Sequence, residues 1–242
     1  MFAGPNGSGK STIKQFVSDV INKKLFGHYV NPDEFEKSIK LSRFLDFNRF
    51  NLKIDESEVL GFFQKSEWLK SKGLTAEVAK LGFGGNSLDF TRVAVNSYLA
   101  SVASDFTRRK LLSSKQNFTF ETVMSAPDKV DFLAEAQVAG YRTYLYYVAT
   151  EDPEINVSRV EIRVLEGGHN VPRDKIKFRY YRSLEFLWDA IKHCNRVYIF
   201  DNSGDEAKWI AEITGAKRIE IKNEDAPAWF VKYVLDKIDN GR

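Results

Sequence analysis

The sequence predicts a three-layer α/β fold in which helices cover both faces of a mostly parallel sheet. Short β-branched or aromatic runs alternate with helix-like stretches along the chain, as they do in parallel α/β proteins. This alternation lies on both sides of one long section, residues 42–115, in which helical segments follow one another without strand-like alternation. We therefore expect a helical insertion between the second and third strands, above the sheet edge where ligands bind.

The individual elements follow from the same patterns. Only Met1, Phe2 and Ala3 precede Gly4, too few for a central strand. Either the natural start lies upstream or the chain is a shortened version, and we expect the loop that follows to be poorly anchored. Later strands are predicted at 27–31, 117–121, 142–149, 196–201 and 218–221. Helices are predicted at 10–24, 126–139, 154–166, 173–193, 206–214 and 226–238.

Composition limits the class of protein. The 242 residues are 43% hydrophobic, which supports one globular domain spanning residues 1–242. Lys and Arg number 36 against 33 Asp and Glu, and the charges are dispersed, so neither a nucleic-acid groove nor a membrane surface is expected. The chain has no long apolar run, and its single cysteine, Cys194, fits a buried helix end. A cytoplasmic location is expected.

The strongest motif is a phosphate-binding loop at residues 4–11, with the spacing G-x-x-x-x-G-K-S. Its glycines allow backbone N–H groups to point at phosphate oxygens, and the dipole of the following helix adds positive potential. Lys10 is expected to reach the β and γ phosphates, and Ser11 to bind Mg²⁺. The residues expected to bind ATP are Gly4, Asn6, Gly7, Ser8, Gly9, Lys10, Ser11 and Thr12. The chain is therefore predicted to be a P-loop NTPase, with ATP and Mg²⁺ as cofactors.

Two acids follow predicted strands, at the sheet edge where ligands bind. Asp33 comes after the second strand and Glu121 closes the third. A carboxylate at this edge can accept a proton from an attacking hydroxyl or hold magnesium through water. Asp33 has an alternative role as the N-cap of the next helix. Glu121, at a buried strand end, requires a partner such as an arginine, a metal or a substrate hydroxyl.

An arginine-rich segment, residues 159–182, is typical of a lid over bound phosphates. Arg159 and Arg163 share a helix face, and Gly167-Gly168 permits a hinge. Arginines from a lid can stabilise charge on a transferring phosphoryl group. The candidates that follow the hinge are Arg173, Arg179 and Arg182. The alternative is that some of these arginines form solvated ion pairs, and that His169 only fixes the loop.

A turn at Asp201-Asn202-Ser203-Gly204 follows the fifth strand. Its backbone, with Asn202 at its centre, is a candidate cradle for the adenine base. A plain turn without a ligand is the alternative.

Together these residues resemble the zeta toxins and the zeta-like proteins described as predicted ABC-type ATPases, although no Leu-Ser-Gly-Gly-Gln signature supports the latter description. The matching segments are AGPNGSGKST at 3–12, NPDE at 31–34, FET at 120–122, GYR at 140–142, RVLEGGHNVP at 163–172, RYYRS at 179–183 and DNSG at 201–204. The lid sequence and the insertion are typical of the zeta-like branch.

The resemblance implies a P-loop kinase that uses ATP and Mg²⁺ to phosphorylate a hydroxyl of a sugar of the UDP-N-acetylglucosamine type. It implies that Asp33 is the catalytic base and that Glu121, with its neighbour Thr122, binds the substrate. Arg163 is similar in placement to a lid arginine of the toxins. Arg173, Arg179 and Arg182 are the alternatives for a second one.

Three functions agree with these features. The first is transfer of the γ phosphate of ATP to a small-molecule hydroxyl. The second is a nucleotide-dependent switch or toxin–antitoxin component, with an antitoxin protein as partner and no transfer activity. The third is a polynucleotide kinase, which would need a basic, aromatic-lined groove. The basic cluster at 107–115 is equally explained as a solvated helix end.

Overall fold

The structure is a computed structural model that describes residues 1–20, 23–168 and 170–239. The first half contains β1 (Phe2–Ala3), α1 (Lys10–Val20), α2 (Lys23–Phe26), β2 (His28–Val30), α3 (Pro32–Ser42), β3 (Phe44–Asp46), α4 (Glu56–Gln64), α5 (Glu67–Ser71), α6 (Thr75–Val78), β4 (Gly82–Gly84), β5 (Ser87–Asp89) and α7 (Ser97–Ser113). The second half contains β6 (Phe118–Thr122), α8 (Asp128–Val138), β7 (Tyr144–Ala149), α9 (Pro153–Leu165), α10 (Arg173–Glu185), α11 (Leu187–Lys192), β8 (Arg196–Asp201), β9 (Lys208–Thr214), β10 (Arg218–Ile221), α12 (Ala228–Phe230), a π-helical turn (Val231–Leu235) and α13 (Asp236–Asp239).

The chain divides into two compact units. The first unit comprises Met1–Ile21 and Glu121–Arg242, and the second comprises Asn22–Phe120.

The first unit is built on a mostly parallel sheet. Its strands lie in the order β10-β9-β8-β7-β1, and the last two residues of β6 pair with the other side of β1. The strands β8, β7, β1 and β6 are parallel, whereas β9 and β10 are antiparallel to their neighbours. The carboxyl ends of the parallel strands therefore meet at one edge, where the predicted phosphate loop follows β1.

The two-residue strand β1 is well anchored despite its length. Phe2 pairs with Tyr146 on one side and with Glu121 on the other. Both Phe2 and Ala3 are buried, and the Phe2 ring stacks on the Tyr146 ring at 4.7 Å. The expectation of a poorly anchored loop is therefore wrong, because both residues of β1 are buried and pair with a neighbouring strand on each side.

Helices flank this sheet and close the core of the first unit. Helix α1 packs against β1 and β7 through its apolar stripe, which includes the buried Ile13 and Val17. The buried Tyr147 hydroxyl of β7 shares a hydrogen bond of 3.0 Å with Ser183 of α10. Cys194, just after α11, is buried as expected, and burial raises the pKa of its thiol to about 12. A neutral, buried thiol is no nucleophile.

The second unit contains β2, the helices α2 to α7 and a small sheet. Strand β2 pairs in parallel with the first three residues of β6. The insertion lies between β2 and β6, as predicted, but it is not wholly helical. The short strands β3, β5 and β4 form an antiparallel sheet in that order. Strands of three residues are too short to show alternation in the sequence, which is why the prediction missed them.

Two predicted elements of the first unit need correction. Residues 208–214, predicted as part of a helix, form the antiparallel strand β9 against β8. The predicted helix at 173–193 is divided into α10 and α11 at Phe186. The other predicted strands are found within two residues of their expected bounds. Among the described residues, no helix is both long enough and apolar enough to cross a membrane.

Candidate functional site

The phosphate loop, residues 4–9, connects β1 to the first turn of α1. Gly4, Gly7 and Gly9 all have positive φ, between 74° and 142°. A Cβ on Gly4 would lie 2.0 Å from the carbonyl oxygen of Val148 on β7, so only glycine fits there. The N–H groups of Gly7 and Gly9 donate no hydrogen bond to any described residue. The loop therefore has backbone donors available for an anion at a helix N-terminus, as a phosphate site requires.

Lys10 is the first residue of α1, and its side chain folds back over the loop. Its Nζ donates to the carbonyl oxygens of Gly4 at 2.9 Å and Pro5 at 2.8 Å. The ammonium group is thus held beside the loop by two neutral acceptors. A phosphate carries full negative charge and can replace these carbonyls as the partner of Lys10.

Ser11 and Glu121 form the next part of the site. The Ser11 hydroxyl donates to Glu121 Oε1 at 3.2 Å, and Glu121 is 7% exposed. Two oxygen ligands of this kind, one of them charged, are what Mg²⁺ prefers beside bound phosphates. The residues present therefore fit a magnesium ion. The neighbouring Thr122 accepts a hydrogen bond from the Met124 N–H, so its hydroxyl fixes the turn after β6.

Two asparagines hold the back of the loop, a task that the sequence did not predict for them. The amide Nδ2 of Asn156, on α9, donates to the Asn6 carbonyl at 2.7 Å. The amide Nδ2 of Asn202, after β8, donates to the Ser8 carbonyl at 2.9 Å. Asn156 is completely buried between apolar residues of α9. A buried amide on the apolar stripe of a helix is the sequence signal that could have identified it.

Of the arginines after Gly168, the structure brings Arg179 to the phosphate loop. Its Nη1 lies 3.5 Å from the side-chain oxygen of Asn6. Arg173 instead pairs with Glu154 at 3.1 Å and Glu161 at 3.5 Å on the exposed surface. Lys177 and Arg173 together lower the pKa of the Glu154 carboxyl by hydrogen bonding to it.

Arg182 also lies in a surface ion pair. It contacts Glu185 at 2.7 Å, and its guanidinium lies over the Phe186 ring at 4.5 Å. Arg173 and Arg182 thus form solvated ion pairs, which is the alternative to a role over the bound phosphates. Arg159 has a structural contact of a different kind, because its guanidinium donates to the carbonyls of Asn202 and Gly204 at 2.6 and 3.1 Å.

Arg163 lies near the end of α9, next to the predicted hinge. Gly167 has φ 85°, and the Gly168 N–H donates to the Arg163 carbonyl at 2.8 Å, which is a Schellman cap of α9. A Cβ on Gly168 would lie 2.6 Å from Arg163 Cγ. The glycine pair therefore ends the helix and leaves room for the arginine stem. His169 lies outside the described residues.

Asp33 belongs to the second unit, in the first turn of α3. The N-cap of this helix is Asn31, whose side chain accepts a hydrogen bond from the Asp33 N–H at 2.8 Å. The alternative role of Asp33 as the cap is therefore wrong. Its carboxylate is exposed, as is that of the next residue, Glu34.

A cavity of about 480 Å³ opens beside the turn that follows β8. Ser203 and Gly204 of that turn contribute to its wall. The other lining residues are Glu151, Asp201, Glu206, Lys208, Asp225, Ala226 and Pro227. The volume is within the range of small-molecule sites, and Asn202 connects this turn to the phosphate loop. Among the described residues, no group of three or more His, Cys, Asp or Glu side chains is arranged to hold a metal by itself.

Comparison with known proteins agrees with the resemblance predicted from the motifs. The model of the zeta toxin family matches residues 95–212, a range that includes Glu121, Arg163, Arg179 and Asn202. An uncharacterized protein of Haemophilus influenzae is 32% identical over 63 residues, which are 26% of this chain and 45% of that protein. The suspected similarity to the zeta toxins is thus confirmed.

Solved structures of similar fold contain a second protein chain. The chain is similar to a structure of AvrRxo1-ORF1 with AvrRxo1-ORF2 and sulphate ions, with a TM-score of 0.58 and 16% identity over 98% of this chain and 62% of that one. A structure of the same pair with ATP gives a TM-score of 0.57, again at 16% identity. This chain spans 62% of the length of those chains. At this identity the likeness shows the fold alone, and it confirms the predicted P-loop α/β class.

Proposed function

We propose that this zeta-toxin-like chain is an ATP-dependent phosphotransferase that moves the γ phosphate of ATP to a hydroxyl of a small molecule. The observation that carries the proposal is the arrangement in the first unit. Lys10, the Ser11–Glu121 pair and Arg179 surround one loop whose Gly7 and Gly9 N–H groups are available to an anion. A P-loop with a lysine, a magnesium-binding pair and a nearby arginine provides the parts that phosphoryl transfer needs.

Each residue has a proposed task in that reaction. The loop N–H groups and Lys10 bind and orient the phosphates. Ser11 and Glu121 would hold magnesium, which would neutralise charge on the phosphate oxygens. Arg179 is the lid arginine best placed to stabilise the transferring group, and Arg163 stays a second candidate. Asp33 accepts the proton of the acceptor hydroxyl. As the hydroxyl oxygen bonds to the γ phosphorus, the bond from that phosphorus to ADP breaks and ADP leaves.

The turn after β8 is the proposed neighbour of the adenine base. Arg159 donates to two backbone carbonyls of the turn, and Asn202 donates from the turn to the Ser8 carbonyl of the phosphate loop. The cavity beside the turn is large enough for a nucleoside. For Asn202 the hydrogen bond to the loop is an additional task that the sequence did not suggest. Thr122 stays a predicted substrate-binding residue. The resemblance predicts that Glu121 binds substrate too, but we propose instead that it holds magnesium, because Ser11 donates to its carboxylate. Arg173 is predicted to be catalytic, but we propose no catalytic role for it, because Glu154 and Glu161 pair with its guanidinium on the surface.

The acceptor class implied by the resemblance is a nucleotide-sugar. An antitoxin protein is the partner that the resemblance suggests, and the solved structures of similar fold were determined as pairs of AvrRxo1-ORF1 with AvrRxo1-ORF2. A single domain over 1–242 and a cytoplasmic location stay predictions.

The test is transfer of labelled phosphate. The protein is incubated with ATP labelled at the γ phosphate and a cell metabolite extract, and the products are separated by chromatography. We expect a labelled phosphate ester with wild type and with K14A, a matched control one helical turn further along α1, and none with K10A. Equal labelling with K10A would exclude the phosphate loop as the source, and no labelled ester from any variant would favour the switch alternative.

A further inference from the structure

The back of the phosphate loop is held by two side-chain amides that reach it from different elements. Asn156 is fixed within α9, where its Oδ1 accepts a hydrogen bond from the buried Thr150 hydroxyl. Its Nδ2 is thereby directed at the Asn6 carbonyl, 2.7 Å away. Asn202 reaches the Ser8 carbonyl at 2.9 Å, and its own carbonyl is held by Arg159. Both amides thus bind carbonyls that are two residues apart in the loop.

Each of these hydrogen bonds fixes the plane of one peptide. In a trans peptide the C=O and N–H groups point in opposite directions, so a carbonyl held at the back of the loop turns the next N–H to the front. The Asn6 carbonyl shares its peptide with the Gly7 N–H, and the Ser8 carbonyl shares its peptide with the Gly9 N–H. Both of these N–H groups donate to no described residue.

Both glycines lie close to the asparagines. A Cβ on Gly7 would lie 2.6 Å from the backbone carbonyl oxygen of Asn156, and a Cβ on Gly9 would lie 2.1 Å from Asn202 Nδ2. Both glycines also have positive φ, 74° and 91°, which other residues rarely adopt. Gly7 therefore leaves room for the backbone of Asn156, and Gly9 leaves room for the side chain of Asn202.

We infer that Asn156 and Asn202 are positioning residues that orient the peptides 6–7 and 8–9, so that the Gly7 and Gly9 N–H groups face the phosphates of a bound nucleotide. Without these amides the two peptides can rotate and present carbonyl oxygens, which repel phosphate. Fixing donors in advance strengthens anion binding because no reorganisation is needed when the anion arrives. This inference rests on the proposed function for its ligand, but it assigns a task to two residues that contact the loop only from behind.

The experiment compares N156A and N202A with two control variants. N195A removes an asparagine whose Oδ1 accepts from the Thr143 N–H, far along the chain from the loop. N48A removes an exposed asparagine of the second unit whose Nδ2 donates to Asp46 Oδ1. Affinity for MgATP is measured by calorimetry, and thermal unfolding is measured without nucleotide. We expect N156A and N202A each to weaken ATP binding at least tenfold, and N195A and N48A to change it less than threefold.

A second readout does not depend on ATP. Backbone amide signals of Gly7 and Gly9 are followed by NMR in the nucleotide-free protein. We expect N156A to shift the Gly7 signal more than the Gly9 signal, and N202A to do the reverse, because each amide holds one peptide. Asn202 is half-buried, so N202A keeps the test valid if N156A unfolds.

The two readouts separate the inference from the proposed function. Unchanged glycine signals in N202A, or wild-type ATP affinity in both folded variants, would overturn the inference while leaving ATP binding in place. If wild type binds no ATP but the glycine signals shift as expected, the positioning role stands and the proposed ligand is wrong.

Discussion

Replacing Arg179 with alanine separates the proposed lid arginine from its neighbours on the same helix. Arg173, Arg179 and Arg182 all lie on α10, yet only the Arg179 guanidinium contacts the phosphate loop in the described structure. Its contact with Asn6 is long, at 3.5 Å, and is therefore a weak hydrogen bond. Arg173 and Arg182 are instead occupied by carboxylates on the surface.

The expected magnitudes differ by orders of magnitude. An arginine that stabilises the charge of a transferring phosphoryl group contributes about 10³-fold or more in rate, which corresponds to about 4 kcal/mol of activation free energy. Loss of an exposed ion pair costs about 0–1 kcal/mol of stability and leaves the chemical step unaffected. We therefore expect R179A to lose about three decades of transfer rate, and R173A and R182A to stay within about threefold of wild type.

The assay is the initial rate of phosphate transfer from labelled ATP at saturating substrate, with thermal unfolding measured for each variant. R179K serves as a further comparison, since it keeps the charge and loses the planar fork, and we expect it to recover only part of the rate. Full activity of folded R179A, or a comparable loss in R173A, would refute the assignment drawn from the structure.

Three further predictions concern other residues. D33N should lower the transfer rate by about 10²-fold or more with unchanged ATP affinity, while the control E34Q should transfer at nearly the wild-type rate. Full transfer by D33N would show that another group accepts the proton. E121Q should weaken the magnesium dependence of ATP binding in calorimetry because the Ser11 partner loses its charge, and an unaltered magnesium titration would contradict the pairing. Cys194 should resist thiol reagents at pH 8 until the protein is unfolded, since burial raises the pKa of its thiol to about 12 and keeps the thiol protonated. Rapid labelling of the native protein would show instead that the thiol is accessible.

Much of the sheet could be predicted from the sequence because strands β6, β7 and β8 are bounded runs of β-branched and aromatic residues. Strand β9 could not, since Lys208–Thr214 contains good helix formers, and its strand conformation depends on pairing with β8. The anchoring of β1 was also invisible, because two residues become a central strand only when both neighbours are present.

The candidate site, too, could be predicted from the sequence only in part. The spacing of residues 4–11 predicted the phosphate loop, since the motif is local. The sequence left three arginines open because their placement depends on which carboxylates lie nearby, and Glu154 and Glu185 are now seen to pair with two of them. The amide of Asn156 among the apolar residues of α9 marks the residue in the sequence, but its partner, the Asn6 carbonyl, is a long-range contact that the sequence does not show.

The fate of the γ phosphate tests the central claim most directly. Wild-type protein with MgATP and a metabolite extract is followed by ³¹P NMR, and the amounts of ADP and of new phosphate ester are compared. We expect ADP and ester to rise together in equal amounts, and both to be absent with K10A. ADP accompanied only by inorganic phosphate, or no ADP at all, would contradict phosphoryl transfer to a hydroxyl.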